Sequence, residues 1–227
     1  MLGVFVNTAA VILGGLIGCL FGRILTERFT RAAMTGIGLC TLYVGFSGSL
    51  QSGNPLFLIG ALVLGALSGT WMDLDGKISR LGEKAQSLVR GGSGRVAEGF
   101  VTASLLFCVG AMAVTGSLDA GLRGDNATLY AKSALDFVAS IMLASTLGMG
   151  VMLSALSVLV YQGAIALMSG LIAPLLTPQA VSEMSGAGSL LILAVGLNLL
   201  GITKIKVADL LPAIVVAPVL VLLAGLF

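Results

Sequence analysis

The stretch from Ser133 to Ile172 reads SALDFVASIMLASTLGMGVMLSALSVLVYQGAIALMSGLI, forty residues with one charged side chain, Asp136. As a single helix it would run about 60 Å, twice the roughly 30 Å of hydrocarbon in a bilayer and more than tilting absorbs. Leu147-Gly148-Met149-Gly150 is the natural place to fold it back. The stretch is therefore expected to make two spans, 133–147 and 150–172. The first is short enough to be a half-helix that stops inside the membrane.

Working outward, six more apolar segments read as spans: 3–21, 33–50, 56–72, 100–118, 186–202 and 210–227. The charges test the count. With the loop carrying Lys77, Arg80, Lys84, Arg90 and Arg95 in the cytoplasm, alternation places Arg23, Arg28, Arg31, Lys204 and Lys206 inside as well. Only Arg123 and Lys132 of the twelve cations then fall outside, as the positive-inside rule asks. A single crossing from Ser133 to Ile172 would move Lys204 and Lys206 outside and worsen the balance. The expectation is an all-α, polytopic membrane helix bundle of about eight transmembrane helices, seven if that stretch crosses once, with both termini periplasmic. It forms a single transmembrane domain over 1–227. The opening MLGVFVNTAAVILGG has no basic stretch and no A-x-A site, so it is expected to be a retained first span.

Composition agrees with lipid as the solvent. The 227 residues are 57% hydrophobic and 10% charged, with a mean hydropathy of +1.09, far from what a soluble surface requires. Net charge is +2, with no basic face and no stacking motif for nucleic acid. Histidine is absent, which removes the commonest general base and a favoured metal ligand. Cys19, Cys40 and Cys108 lie in apolar runs without CxxC spacing and read as buried small hydrophobes. No metal, no cofactor and no enzymatic activity is expected. An intramembrane enzyme would need Cys108 or Ser104 beside Tyr161 or Asp136.

Between the third and fourth spans, 73–99 reads as a cytoplasmic amphipathic connecting segment between two helical halves. Ile78, Leu81, Ala85, Leu88 and Val89 recur at near-helical spacing among Lys77, Arg80, Lys84 and Arg90. Gly91-Gly92-Ser93-Gly94 follows as a flexible hinge, too short for a phosphate loop. Asp73-Leu74-Asp75-Gly76 starts like a calcium loop but lacks its later ligands.

Glycine is abundant, 32 of 227 residues. In lipid, small residues that allow close backbone approach hold helices together, so Gly14/Gly18/Gly22 and Ala61/Gly65/Gly69 read as packing faces. Two echoes suggest duplication. Cys40 with Gly48-Ser49-Leu50 recurs as Cys108 with Gly116-Ser117-Leu118, and Met34-Thr35-Gly36-Ile37-Gly38 as Met184-Ser185-Gly186-Ala187-Gly188. A true inverted repeat would favour a transporter.

The run from Gly99 to Ala113, GFVTASLLFCVGAMA, with Gly116-Ser117-Leu118, Lys132-Ser133, Asp136, Leu147-Gly148-Met149-Gly150-Val151 and Tyr161-Gln162-Gly163, resembles the signature of the DUF554 family. The likeness covers essentially the whole chain, including Val6-Asn7 and Gly14-Gly15. The resemblance implies a bacterial multi-pass inner-membrane protein and brings no established reaction or substrate.

Ionisable groups at bilayer depth are costly and so mark candidate sites. Asp136 lies one turn after Lys132, on the same helix face, about one turn into the fifth span. A structural pair at the interface and an ion or proton site are equally open readings. Gln162, beside Tyr161 and Gly163, needs partners in mid-span, for helix contact or for solute recognition. Asn7 and Asn198 carry the same two readings. Asp119 and Arg123 fall at the outer mouth, where they are solvated. Pro212 and Pro218 should loosen the last span. The leading expectation is a homo-oligomeric transporter or channel for a small polar solute or ion, its pathway framed by the Gly148/Gly150 break and lined by Asp136, Gln162, Tyr161, Asn198 and Asn7. The alternative is a non-transporting membrane scaffold or sensor.

Overall fold

A computed structural model describes residues 1–22, 27–80, 96–109 and 111–225. Among them the chain forms α1 (Leu2–Gly22), α2 (Glu27–Ser49), α3 (Pro55–Trp71), α4 (Leu74–Arg80), α5 (Val96–Cys108), α6 (Ala111–Leu122), α7 (Ala127–Leu147), α8 (Gly150–Leu167), α9 (Ser169–Ile172), α10 (Pro178–Leu199), a 3-10 turn (Val207–Leu210) and α11 (Ala213–Ala224). An all-helical fold is what lipid demands, since every backbone donor and acceptor must be paired within its own segment.

Local signals set the ends. Asn54 accepts from the Leu56 amide and Pro55 opens α3. Thr177 and Pro178 do the same for α10, with the Thr177 hydroxyl accepting from Ala180. Gly124, Gly148 and Gly201 take left-handed φ of 71°, 72° and 72° where the chain turns after α6, α7 and α10.

Five helices are long and apolar enough to cross a membrane, or up to seven if each bent pair counts as one span, against the eight expected. The helix α2 has the length, 23 residues, but begins with Glu27, Arg28 and Arg31. Three expectations are corrected. The fifth helix is no half-span: α7 has 21 residues, about 30 Å, because it starts six residues earlier than its apolar run suggests. The fold-back at Gly148 therefore lies at its end, and Ser133 to Ile172 does not cross as one helix. The expected span 100–118 is two helices, α5 and α6, bent by 60°. The expected span 186–202 is α10, which starts at Pro178 and so includes Glu183, outside the expected bounds. Pro212 precedes α11, while Pro218 lies inside it. Of the expected connecting segment 73–99, residues Leu74–Arg80 form α4, which leaves α3 at 55°. Leu81, Lys84, Ala85, Leu88, Val89, Arg90 and the 91–94 hinge lie outside the described residues, as does Arg23.

Each of the first three helices packs its glycines on a helix of the second half. Gly14, Gly18 and Gly22 lie against the α7 backbone at Phe137, Ile141 and Ser145, so α1 and α7 run parallel. Gly38, Gly45 and Gly48 meet Leu200, Leu193 and Ser189, so α2 and α10 run antiparallel. Gly65 and Gly69 meet Ala213 and Asp209, which sets α3 antiparallel to the last segment. Gly150 seats the start of α8 on Val96 and Phe100 of α5, and these two run parallel, joined by a Ser104–Ser157 hydrogen bond of 3.0 Å. These directions are compatible with alternating passes, of which five to seven qualify as spans. The central core gathers Val11, Phe107, Leu143, Leu147, Val151, Val158 and Leu191, while Phe5, Phe21, Tyr43, Trp71, Leu135 and Leu171 are exposed on the outside of the bundle.

Candidate functional site

At the second turn of α1 and the second and third turns of α7, four polar side chains from three helices meet. Lys132 and Asp136 share a face of α7, and the Lys132 ammonium donates to both carboxylate oxygens at 2.8 and 2.6 Å. The close approach that Gly14 permits lets the short side chain of Asn7 reach across from α1. Its Nδ2 donates to Asp136 Oδ2 at 3.0 Å and to Gln162 Oε1 of α8 at 3.2 Å. Asn7 and Gln162 are fully buried, and Lys132 and Asp136 are 6% exposed.

Two opposite charges removed from water in one place lose several kcal/mol of hydration each, which their contact and the Asn7 hydrogen bond must offset. Saturation is incomplete, however. Asn7 Oδ1, Gln162 Nε2 and Ser140 Oγ, one turn beyond Asp136, are buried without a partner. Exchanging the Asn7 or Gln162 amide atoms would not mend this, because Asn7 Nδ2 already serves two acceptors. A buried donor and acceptor left open cost about 1–3 kcal/mol each, so this interface is unusually ready to accept another polar group.

The remaining candidates lie elsewhere. Tyr161, one residue from Gln162, points to another face of α8, its hydroxyl 4.0 Å from Met184 Sδ. It lines a largely apolar cavity of about 510 Å³ with Phe100, Ser104, Cys108 and Ile214. Asn198 closes the turn after α10: it donates to Ile205 O at 2.7 Å and accepts from Thr203 Oγ1 and Ile205 N at 2.7 and 2.9 Å. Gly148 turns the chain and Gly150 packs on α5. The glycine break is twelve residues from Asp136, about 18 Å along α7. The structure thus joins Asn7, Asp136 and Gln162, adds Lys132, sets Ser140 one turn beyond Asp136, and leaves Tyr161, Asn198, Gly148 and Gly150 apart. Asp119 pairs with Arg123 across 3.7 Å at the end of α6.

Two further buried carboxylates were not singled out from the sequence. Glu183 of α10 is fully buried and accepts from Ser52 Oγ at 2.5 Å and from the amides of Gly53 and Asn54 at 2.9 Å, pinning the α2–α3 loop. The Thr177-Pro178 start signal would have placed it in the helix. Asp209 accepts from the Asp75 amide at 2.9 Å. Burial first, and then the Asp209 charge, push the Asp75 carboxyl above its usual range, while Lys206 pulls the other way. Among the described residues, no three His, Cys, Asp or Glu side chains gather as a metal site would need.

Long apolar helices with outward hydrophobic faces, closed around a buried polar network, define a polytopic helical membrane protein. The chain belongs to the family described as "Protein of unknown function (DUF554)", whose model matches residues 2–222. It is 32% identical to "Uncharacterized membrane protein YdfK" of Bacillus subtilis (strain 168), over all of this chain and 98% of that protein. It is 35% identical to "Uncharacterized protein YqgA" of Escherichia coli (strain K12), over 96% of this chain and 94% of that one. No solved structure matches.

Proposed function

We propose that the protein carries a small polar solute or ion across the bacterial inner membrane, and that Asn7, Lys132, Asp136 and Gln162 form its recognition point. One observation carries this reading. Three buried polar atoms on α1, α7 and α8 remain unpartnered beside an intramembrane ion pair, at a depth where such groups are costly unless they serve a pathway. Such a protein needs no catalytic group. It works as a homo-oligomer, and both termini are periplasmic, the orientation the cation distribution favours.

The rival reading, a scaffold or sensor, is favoured by the mutual neutralisation of Lys132 and Asp136. Uptake and conductance in proteoliposomes with a panel of metabolites and ions separate the two. Permeation above that of protein-free vesicles, lost in the Asp136→Asn, Gln162→Ala double variant, is expected. Unchanged permeation in that variant would remove the network from the pathway, and no permeation of any panel member would favour the scaffold.

A further inference from the structure

The valences that the network leaves open differ in kind, and this bears on what it can hold. The two formal charges of the site belong to Lys132 and Asp136, which are 2.6 Å apart and together neutral. A cation entering here would have to displace the Lys132 ammonium from both carboxylate oxygens. An anion would have to displace the carboxylate from the ammonium. What remains open is one carbonyl acceptor, Asn7 Oδ1, one amide donor, Gln162 Nε2, and the Ser140 hydroxyl, which can do either.

There is also room. Gly163, next to Gln162, is buried, yet a Cβ built on it would meet no heavy atom within 4 Å. Gly163 lies about 20° around the helix from Met152, eleven residues earlier. Met152 packs on Gly15 of α1, so the open space faces α1, the helix whose Asn7 bonds Gln162. Most glycines facing another helix here behave differently: a Cβ at Gly14, Gly15, Gly18 or Gly22 would collide with α7 or α8. The void beside Gly163 is not needed for packing.

We propose that the transported solute is electrically neutral and presents both a hydrogen-bond donor and an acceptor, as a small amide or hydroxyl compound does. It passes Gly163 while bonded to Asn7 Oδ1 and Gln162 Nε2. The Lys132–Asp136 pair stays closed and holds Asn7 in register rather than exchanging ions. This rests on the transport reading above.

The test uses the purified full chain in proteoliposomes, with two readouts. Stopped-flow swelling follows urea, acetamide and glycerol, and current or ion-sensitive dyes follow sodium, potassium, chloride and protons. Swelling with at least one neutral probe and no ion movement is the expected result. Ion movement, with or without swelling, would overturn the neutral-solute inference and leave transport standing. Movement of nothing would overturn both. Gly163→Val puts bulk into the void, where its Cβ meets no heavy atom within 4 Å, and gel filtration and thermal unfolding check that it folds. It should slow swelling at least about fivefold, as should Gln162→Leu, which removes both the open Nε2 donor and the Oε1 acceptor of the Asn7 bond. Unchanged swelling in Gly163→Val would place the pathway elsewhere and overturn the inference.

Discussion

Lys132 and Asp136 are each affordable in the bundle only because the other is present. Removal of one partner leaves an uncompensated buried charge, so Lys132→Met or Asp136→Leu should each lower unfolding free energy by about 3–5 kcal/mol, and the double variant by clearly less than the sum. Denaturant unfolding in detergent reads this, and additivity would refute the coupling. Asp75 offers a pH test. Its carboxyl is raised by burial and by Asp209, so the charged form is the disfavoured one in the fold. A raised acid costs native stability as the pH rises from its unfolded to its folded pKa, and the cost stays in full above that. Asp75→Asn should therefore raise the thermal midpoint at neutral pH, with the gain fading as pH falls through the ordinary carboxylate range. A gain independent of pH would assign the effect to something other than this charge. The spacing of Lys132 and Asp136 was legible in the sequence, and so was their shared helix face. That Asn7 and Gln162, 129 and 26 positions from Asp136, complete the group was not, because no local rule links side chains on different helices.

At the scale of the helices, glycine separates into two kinds. Gly18 and Gly45 sit where a Cβ would run into the backbone of α7 and α10, so Gly18→Val or Gly45→Val should force helices apart and cost about 2 kcal/mol or more. Gly163 and Gly36 face open space, and alanine at either should be neutral or stabilising by up to about 1 kcal/mol through helix propensity. Thermal unfolding of the four variants checks the contrast, and equal effects would undo the packing argument. The glycine stripes were readable as adhesive surfaces in advance, whereas their partners were not. Helix starts differ from the apolar runs where a charged residue lies inside the helix: Lys132, in the second turn of α7, and Glu183 in α10 end the apolar runs that suggest the bounds.

For the whole molecule, the alternation of helix direction makes a claim about sides. Asp125, exposed between α6 and α7, and Lys204, exposed after α10, should face opposite compartments. Single cysteines at these positions in a background without Cys19, Cys40 and Cys108 should react with a membrane-impermeant reagent from opposite sides. Labelling of both from one side would contradict the alternation.

Hydropathy alone dictated a helical membrane protein, because a chain with one charged residue in ten cannot cover itself in water and lipid admits only backbones that pair with themselves. Periodicity and single residues likewise announced the turn near Gly148 and the sticky glycine faces. Which helix receives which face, and which polar side chains meet at Asn7, Lys132, Asp136 and Gln162, depended on the tertiary arrangement. Hydrophobic burial is non-directional and the same in sequence for every lipid-facing helix, so only close packing between particular surfaces selects the partners.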